Sequence, residues 1–262
     1  MTENLASQRL FLIFPFFNEA PNLPRLLAEL EQFTGSHPEL QIRILAVDDG
    51  SGDGGGEIVR ERAGKLRVEL IENARNLGPG RSFAAALARL SGRLQASDLV
   101  ATMEADNTSG LEVLSRMLVR IREGYDVVLA SPYAYGGGFA EVSTSRVLVS
   151  HLANGLVKIV LGLRGLNTFS SFFRLYRGQS VLRLQAAYGP GIIESPGFEC
   201  MVELLYKMVL LRFSISEVEF KVDWSRRRGK SKMKIFRTAR GYLRLLSARG
   251  RWAPAAPKAE EP

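Results

Sequence analysis

The sequence predicts an α/β fold in which a mostly parallel central sheet is flanked by helices. Short apolar runs alternate with helix-like segments through the first half of the 262-residue chain, a pattern typical of a parallel sheet with helices on both faces. Acidic side chains follow the ends of three of these runs. Because ligands of such sheets bind beyond the carboxyl ends of the strands, the acidic residues mark the candidate site.

Five apolar runs predict strands, at residues 10–14, 42–47, 67–71, 99–103 and 126–130. Helical spacing of apolar residues predicts a first helix with Asn22 as its N-cap, through Leu23, Leu26, Leu27, Leu30 and Phe33. Further helices are predicted at 57–63, 80–90 and 111–123.

The pattern changes after residue 130. Residues 131–145 are a glycine-rich loop, long enough to be a functional lid. The following segments predict an apolar helix, an aromatic run, a second helix and an alternating strand, at 146–163, 167–177, 198–212 and 215–222 respectively.

Composition limits the possible chemistry. The formal net charge of +8 favours an anionic partner. A single cysteine, Cys200, excludes an internal disulfide framework. His37 and His151 are the only histidines, which excludes a His/Cys-rich metal site and disfavours a Ser-His-Asp triad. Catalysis is therefore expected to depend on carboxylates, arginine, lysine and backbone groups.

No segment of the sequence predicts a signal peptide or a spanning helix. Residues 1–9 lack an apolar core. The best spanning candidate, 146–163, carries Arg146, His151, Asn154 and Lys158, too many polar groups for hydrocarbon. The chain is expected to be soluble or peripheral.

The acidic groups at the predicted strand ends are Glu19, Asp48, Asp49, Glu104 and Asp106. Such carboxylates can accept hydrogen bonds from a ribose or a base, or hold a hard divalent cation that neutralises a pyrophosphate. Asp and Asn also favour helix N-caps, so a single residue of this kind is ambiguous. The convergence of three groups favours a binding site.

Other nucleotide motifs are disfavoured. The first strand runs into PFFNEA without a glycine fingerprint, and GPGRSF has Phe83 where a third glycine belongs. Trp224 stands where a P-loop ending in GKS needs its leading glycine.

Ten segments taken in order resemble one family: FPFFNEAPNL, VDDGSGDG, NLGPGRSFAAAL, MEADNTSG, SPYAYGGG, SR (145–146), FFRLYR, GFECMVELL, ISEVEFKV and RRRGKSKMK. They resemble the family-2 GT-A inverting glycosyltransferases, specifically the dolichyl- or polyprenyl-phosphate mannose synthase-like branch. The resemblance implies one GT-A domain over 1–245, with a nucleotide-binding part at about 8–130 and an acceptor- and membrane-facing part at about 131–245. Residues 246–262 are predicted to be a disordered tail.

The resemblance also implies roles for individual residues. Pro15, Glu19, Asp48 and Asp49 would line the nucleoside pocket, and Glu104 with Asp106 would hold Mg²⁺ or Mn²⁺. Arg146 and Arg226 would contact phosphate, while Ser231 and Lys232 complete the Arg-x-x-Gly-x-Ser-Lys signature. The implied catalytic set is Asp106, Arg146, Arg226 and Lys232.

Three departures from the family pattern are present. Glu104 replaces the usual first aspartate of the metal motif, and Pro132 replaces an arginine that binds phosphate. NTFSSFF replaces the usual Asp-x-Thr-Ser-Gly-Phe pattern.

The implied reaction is inverting transfer of a hexose, of mannose or glucose type, from a nucleotide-diphosphate sugar to a polyprenyl phosphate. An acceptor phosphate is already an anion, so no strong base is required. The basic segment 226–240 is interleaved with apolar residues, which suits an anionic membrane surface on the cytoplasmic side. Nucleic acid is not expected as a partner, since that segment has few aromatics for base stacking.

Two alternatives remain open. Transfer to a sugar or other hydroxyl in cell-surface polysaccharide synthesis would need a carboxylate base, for which Glu194 and Glu199 are candidates. A catalytically impaired nucleotide-binding homologue is the other.

Overall fold

The computed structural model describes residues 8–141, 155, 157–163, 165–229 and 235–253. The strands are β1 (Gln8–Phe16), β2 (Leu40–Asp48), β3 (Val68–Glu72), β4 (Leu99–Thr102), β5 (Val127–Ser131), β6 (Gly138–Ala140), β7 (Arg174–Arg177), β8 (Ile215–Glu219) and β9 (Lys221–Asp223). Seven of them form one sheet in the order β3-β2-β1-β4-β7-β5-β8, and β6 pairs with β9 separately.

In the described part of the chain, helices connect or cover these strands. They are α1 (Leu23–Ser36), α2 (Gly55–Arg62), α3 (Pro79–Arg89), α4 (Glu112–Arg122), α5 (Gly178–Tyr188), α6 (Cys200–Leu210) and α7 (Ile235–Ala248). The predicted strands and helices of the first half are therefore confirmed. Asn22 stands at the N-cap of α1, but its side chain does not cap the helix.

Different helices cover the two faces of the sheet. Because side chains alternate along a strand, neighbouring residues of β1 pack against different helices. Leu10, Leu12 and Phe14 of β1 pack on one face, with apolar residues of α1, α2 and α4. Phe11 and Ile13 pack on the other face, with residues of α3, α5, α6 and α7. Helices on both faces were predicted, and the structure confirms them.

One strand runs against the rest. β1 pairs in parallel with β2 and β4, and β5 pairs in parallel with β8. β7 lies between β4 and β5 and is antiparallel to both. The sheet is mostly parallel, as predicted, but the direction of β7 was not readable from the aromatic run at 167–177.

The predicted strand at 215–222 is two strands in the structure. β8 ends at Glu219 and β9 begins at Lys221, where it joins β6. The chain thus leaves the main sheet at Phe220 and carries the following basic residues toward the carboxyl edge of β1 and β4.

The prediction of a disordered tail from residue 246 is wrong for residues 246–253. α7 continues to Ala248, and Arg249–Trp252 form a 3-10 helix. Trp252 is only 4% exposed and donates a hydrogen bond from its indole to Glu194, at 3.0 Å. Burial of this large aromatic orders the segment, whereas the prediction was drawn from the Pro- and Ala-rich residues after it. Residues 254–262 lie outside the described part.

Within the described ranges, no helix has the length and apolar character needed to cross a bilayer. The predicted helix at 146–163 falls largely outside those ranges, although residues 157–161 are helical.

Candidate functional site

Three parallel strands bring the acidic residues to one edge of the sheet. The register pairs Phe16 of β1 with Asp48 of β2, and the Asp49 amide donates to the Phe16 carbonyl at 2.8 Å. On the other side of β1, the Met103 amide donates to Ile13 at 3.0 Å, so Glu104 follows at the same edge. The predicted convergence of the three strand ends is confirmed.

Pro15 is accommodated in β1 because of this register. β4 pairs with β1 only as far as Ile13. An amide hydrogen at position 15 would therefore have no partner on β4, and proline, which has none, costs no hydrogen bond there. Proline is tolerated in a sheet where no ladder hydrogen bond is lost. Pro15 is half-buried at the carboxyl edge.

Glu19, Glu104 and Asp106 form what we call the carboxylate cluster. Burial, together with the charges of Asp106 and Glu19, raises the pKa of Glu104 to about 8, and Arg227 opposes this shift. These charges therefore lie close enough to influence one another. Among the described residues, no hydrogen bond or ion pair to the Glu104 carboxylate is found.

Arg227 joins two members of the carboxylate cluster. Its Nη1 lies 2.7 Å from Asp106 Oδ2 and its Nη2 lies 3.2 Å from Glu19 Oε1. The Arg227 side chain is only 9% exposed, so solvent screens these ion pairs weakly. The sequence resemblance did not select this arginine.

The loop after β4 holds Asp106 in place. Asp106 Oδ1 accepts hydrogen bonds from the amide and the hydroxyl of Thr108, at 3.1 and 2.7 Å. Asn107 adopts a φ of 64°, which asparagine tolerates better than most residues. Its side-chain amide donates to the Asn22 carbonyl at 2.9 Å and ties the loop to the start of α1.

Asp48 and Asp49 point to different partners. Asp49 accepts hydrogen bonds from the Asn73 side chain at 2.9 Å and from the amides of Leu77 and Gly78 at 2.9 and 2.8 Å. Asp48 accepts one from the Ser51 amide at 2.7 Å. The Asp49 carboxylate thus fixes the loop before α3, and of the two Asp48 has the more available carboxylate.

The segment after β9 crosses the carboxyl edge. Arg226 Nη2 pairs with Glu29 of α1 at 2.6 Å, so Arg226 lies against α1 and it is Arg227 that meets the carboxylate cluster. Arg227 is extended, with φ −81° and ψ 136°, and side chains of an extended chain alternate in direction. This alternation separates Arg227 from its two neighbours but does not by itself state which side faces the carboxylates.

A cleft of about 360 Å³ opens beside this segment. Its lining combines two prolines, two asparagines and three arginines, namely Pro21, Pro24, Asn22, Asn107, Arg25, Arg226 and Arg228. Its size is within the range of small-molecule sites. Arg226 and Arg228 therefore share one side of the segment, and Arg227 faces the other.

Arg146, Ser231 and Lys232 lie outside the described residues. Their predicted roles stay predictions.

The two candidate bases, Glu194 and Glu199, have structural partners. Glu194 accepts the indole hydrogen bond of Trp252 at 3.0 Å and lies 3.5 Å from Lys207 Nζ. Glu199 is 5% exposed, accepts a hydrogen bond from the Gly197 amide at 3.3 Å and is covered by Gly241 of α7. This geometry does not favour either as the base for a hydroxyl acceptor.

The side chains present fit a divalent cation in their chemistry. Glu104 and Asp106 offer carboxylate oxygens, which Mg²⁺ and Mn²⁺ prefer. In the described part of the chain no ready-made group of three or more His, Cys, Asp or Glu ligands is found, and Arg227 occupies Asp106 Oδ2. A cation bound to Asp106 Oδ2 would compete with Arg227 for that oxygen.

The family described as Glycosyl transferase family 2 matches residues 11–183 of this chain. The match spans the three strand ends and the carboxylate cluster. The chain belongs to glycosyl transferase family 2, and it is a glycosyltransferase.

Similar proteins are found by sequence and by structure. The polyprenol monophosphomannose synthase of Mycolicibacterium smegmatis is 28% identical over 81% of this chain and 76% of its own length. The undecaprenyl-phosphate mannosyltransferase of Micrococcus luteus is 29% identical over 86% of this chain and 87% of its own. The glucosyl-3-phosphoglycerate synthase of Mycobacterium tuberculosis, solved with Mn²⁺, UDP and phosphoglyceric acid, has a TM-score of 0.63 at 12% identity, covering 95% of this chain and 80% of that one. The predicted GT-A fold is confirmed.

Proposed function

We propose that this enzyme transfers a hexose, of mannose or glucose type, from a nucleotide-diphosphate sugar to a polyprenyl phosphate with inversion. The observation that carries the proposal is the carboxylate cluster at the carboxyl ends of β1 and β4, beside a basic cleft. The name of one sequence relative refers to polyprenol monophosphomannose and that of the other to undecaprenyl phosphate, which supports a polyprenyl phosphate acceptor.

The donor would lie across the carboxyl edge of the sheet. Asp48, Glu19 and Pro15 would face the nucleoside there. Asp49 would contribute indirectly, because its carboxylate holds the loop of Leu77 and Gly78 in place. Arginines of the 226–228 segment would lie near the donor phosphates.

Glu104 and Asp106 would hold a divalent cation. When bound, such a cation supplies positive charge that stabilises the leaving diphosphate. The structural neighbour bound to Mn²⁺ and UDP supports this part of the proposal. The residues of the chain have the remaining tasks, which are to orient the two substrates and to screen their negative charges.

The acceptor needs little activation by the protein. A phosphate monoester oxygen is an anion near neutral pH, so it attacks without a strong general base. Approach is limited instead by repulsion between acceptor and donor phosphates. The basic excess of the chain would offset this repulsion and hold the reacting atoms in line.

A lipid acceptor would bring the enzyme to a membrane surface on the cytoplasmic side. Leu243 of α7 is 67% exposed, and the flanking residues Arg240 and Arg244 are also exposed. An exposed apolar side chain between cations suits an anionic bilayer surface. This surface of α7 would bind peripherally near the lipid phosphate.

The decisive experiment is transfer of a labelled sugar to lipid. Purified full-length protein is incubated with labelled GDP-mannose, UDP-glucose and related donors, with undecaprenyl or dolichyl phosphate and with Mg²⁺ or Mn²⁺. We expect labelled lipid from one donor, loss of product with EDTA and near-complete loss in D106N. E61Q is the matched control, because Glu61 is an exposed carboxylate on α2.

The outcome that contradicts the proposal is a folded protein that makes no labelled lipid from any of these donors. Transfer to a soluble hydroxyl acceptor in the absence of lipid would instead support the polysaccharide alternative.

The membrane part has a separate test. Flotation with vesicles of phosphatidylcholine and phosphatidylglycerol should recover the wild type, and R240Q/R244Q should bind less. R67Q/R122Q removes the same charge from exposed positions before β3 and β5 and should bind like the wild type. Equal binding of all three proteins would exclude a role for α7.

A further inference from the structure

Arg227 occupies one of the carboxylate oxygens that a metal ion would need. Asp106 Oδ1 already accepts two hydrogen bonds from Thr108. Asp106 Oδ2 accepts the third, from Arg227 Nη1 at 2.7 Å. The same guanidinium reaches Glu19 Oε1 at 3.2 Å, so one cation serves two carboxylates.

The backbone presents Arg227 in this position. The Asp223 amide donates to the Thr108 carbonyl at 3.0 Å, on the same loop as Asp106. On the other side of Arg227, Asn22 accepts from the Arg228 amide at 2.8 Å and donates to the Arg228 carbonyl at 2.9 Å. Both ends of the segment are thus tied to the two loops that carry Asp106 and Glu19.

We propose that Arg227 is an internal counter-cation of the carboxylate cluster, which must leave Asp106 before a divalent cation can bind there. This inference rests on the proposed function, because it takes Asp106 to be a metal ligand. A guanidinium hydrogen and a metal ion compete for the same oxygen lone pairs. Arg227 therefore weakens metal binding in the absence of donor.

The donor diphosphate would relieve this competition. It offers the guanidinium a new anionic partner, to which arginine binds well because its planar fork matches phosphate oxygens. Arg227 would then favour binding of metal and donor together over metal alone. Arg227 is a positioning residue in this scheme, and its effect is on affinity for the cation.

The test is Mn²⁺ binding to the full-length protein without nucleotide, measured by electron paramagnetic resonance of free Mn²⁺. R227M should bind Mn²⁺ about tenfold more tightly than the wild type, a factor typical of coupled sites. R227K keeps the positive charge but loses the forked guanidinium, and its affinity for Mn²⁺ should lie between those of the wild type and R227M. The R227M/D106N double variant should lose the gain, because the gain acts through Asp106.

R122M is the matched control, since it removes the same charge from an exposed side chain at the end of α4. Its affinity for Mn²⁺ should match that of the wild type within about twofold, a difference well below the typical coupling factor. If R227M does not fold, R227K decides, and it must bind more tightly than the wild type. Equal affinity of wild type and Arg227 variants would overturn this inference alone. Absence of Mn²⁺ binding in every variant would overturn it together with the metal part of the proposed function.

Discussion

Lys207 donates a hydrogen bond to the Glu203 carboxylate one turn earlier on α6, and both side chains are fully buried. Lys207 also donates to the Gly191 carbonyl at 2.5 Å. Glu203 accepts from the amides of Glu194 and Ser195, at 2.8 and 2.7 Å. The pair therefore fastens the 191–195 segment to α6, behind the carboxyl edge of the sheet.

Removal of one member of this pair should strongly destabilise the fold. E203Q leaves the buried charge of Lys207 without its counter-ion, and K207M does the same to Glu203. We expect each variant to lower the free energy of unfolding by about 3–5 kcal/mol. Urea denaturation measures the change. The double variant should destabilise by less than the sum of the two single variants, since neither charge then remains.

E123Q is the control, because Glu123 is exposed in its pair with Arg120. This substitution should lower the free energy of unfolding by less than about 1 kcal/mol. Additive effects would show that the two side chains act independently.

Asp49 is expected to matter for stability more than Asp48. D49N weakens three hydrogen bonds to the loop before α3, and a hydrogen bond to a charged group contributes about 1.5–3 kcal/mol. We expect a loss of at least that size in the free energy of unfolding. D48N affects a single hydrogen bond and should instead weaken nucleotide binding. Chemical denaturation and calorimetric titration of both variants separate the two roles. The reverse order of stabilities would contradict this assignment.

Replacing either of two glycines with alanine should change the stability of the fold, but in opposite directions. A Cβ on Gly80 of α3 would clash with the Ser195 carbonyl oxygen, so G80A must separate α3 from the segment before α6. We expect a cost of about 1–3 kcal/mol, as for other overpacked sites. A Cβ on Gly35 of α1 would meet nothing within 4 Å, and G35A should stabilise by up to about 1 kcal/mol. Thermal unfolding of the two variants checks both signs. A destabilised G35A or a neutral G80A would contradict the packing described.

Glu104 should make the metal-free protein less stable as pH rises. Its pKa is raised to about 8 in the folded state, whereas the pKa of glutamate in an unfolded chain is about 4.3. Between these values the folded state binds a proton that the unfolded state has lost. The free energy of unfolding therefore falls as pH increases through this window and levels off above about 8.

The measurement is urea denaturation in EDTA at several pH values across that range. E104Q cannot lose a proton and should show a shallower slope than the wild type. E61Q should keep the wild-type slope, because Glu61 is exposed on α2. Identical slopes for wild type and E104Q would show that Glu104 titrates normally.

Much of the site was predictable because it depends on local pattern. Alternating and helical periods located the strands and helices of the first half of the chain, and the carboxyl ends of parallel strands meet at one edge. Glu19, Asp48, Glu104 and Asp106 therefore lie at the same edge of the sheet, as expected. The resemblance to glycosyltransferases added the reaction class, which the family match confirms.

The arginines show where local pattern is insufficient. Three consecutive arginines begin the signature at 226–228, and nothing in their order states which one faces the carboxylates. The choice depends on how the segment after β9 is anchored to Asn22, a residue 206 positions away. That anchoring places Arg227 on the carboxylate cluster and Arg226 on Glu29.

By itself, the sequence determined the alternation of strands and helices, the edge at which the acidic residues gather and the family of the enzyme. Only the tertiary structure decided the antiparallel β7, the burial of Trp252, the structural role of Asp49 and the contact of Arg227 with Glu19. The physical reason is range: periodicity reflects neighbours a few residues apart, whereas Arg227 and Glu19 are 208 positions apart and meet only after the sheet has formed.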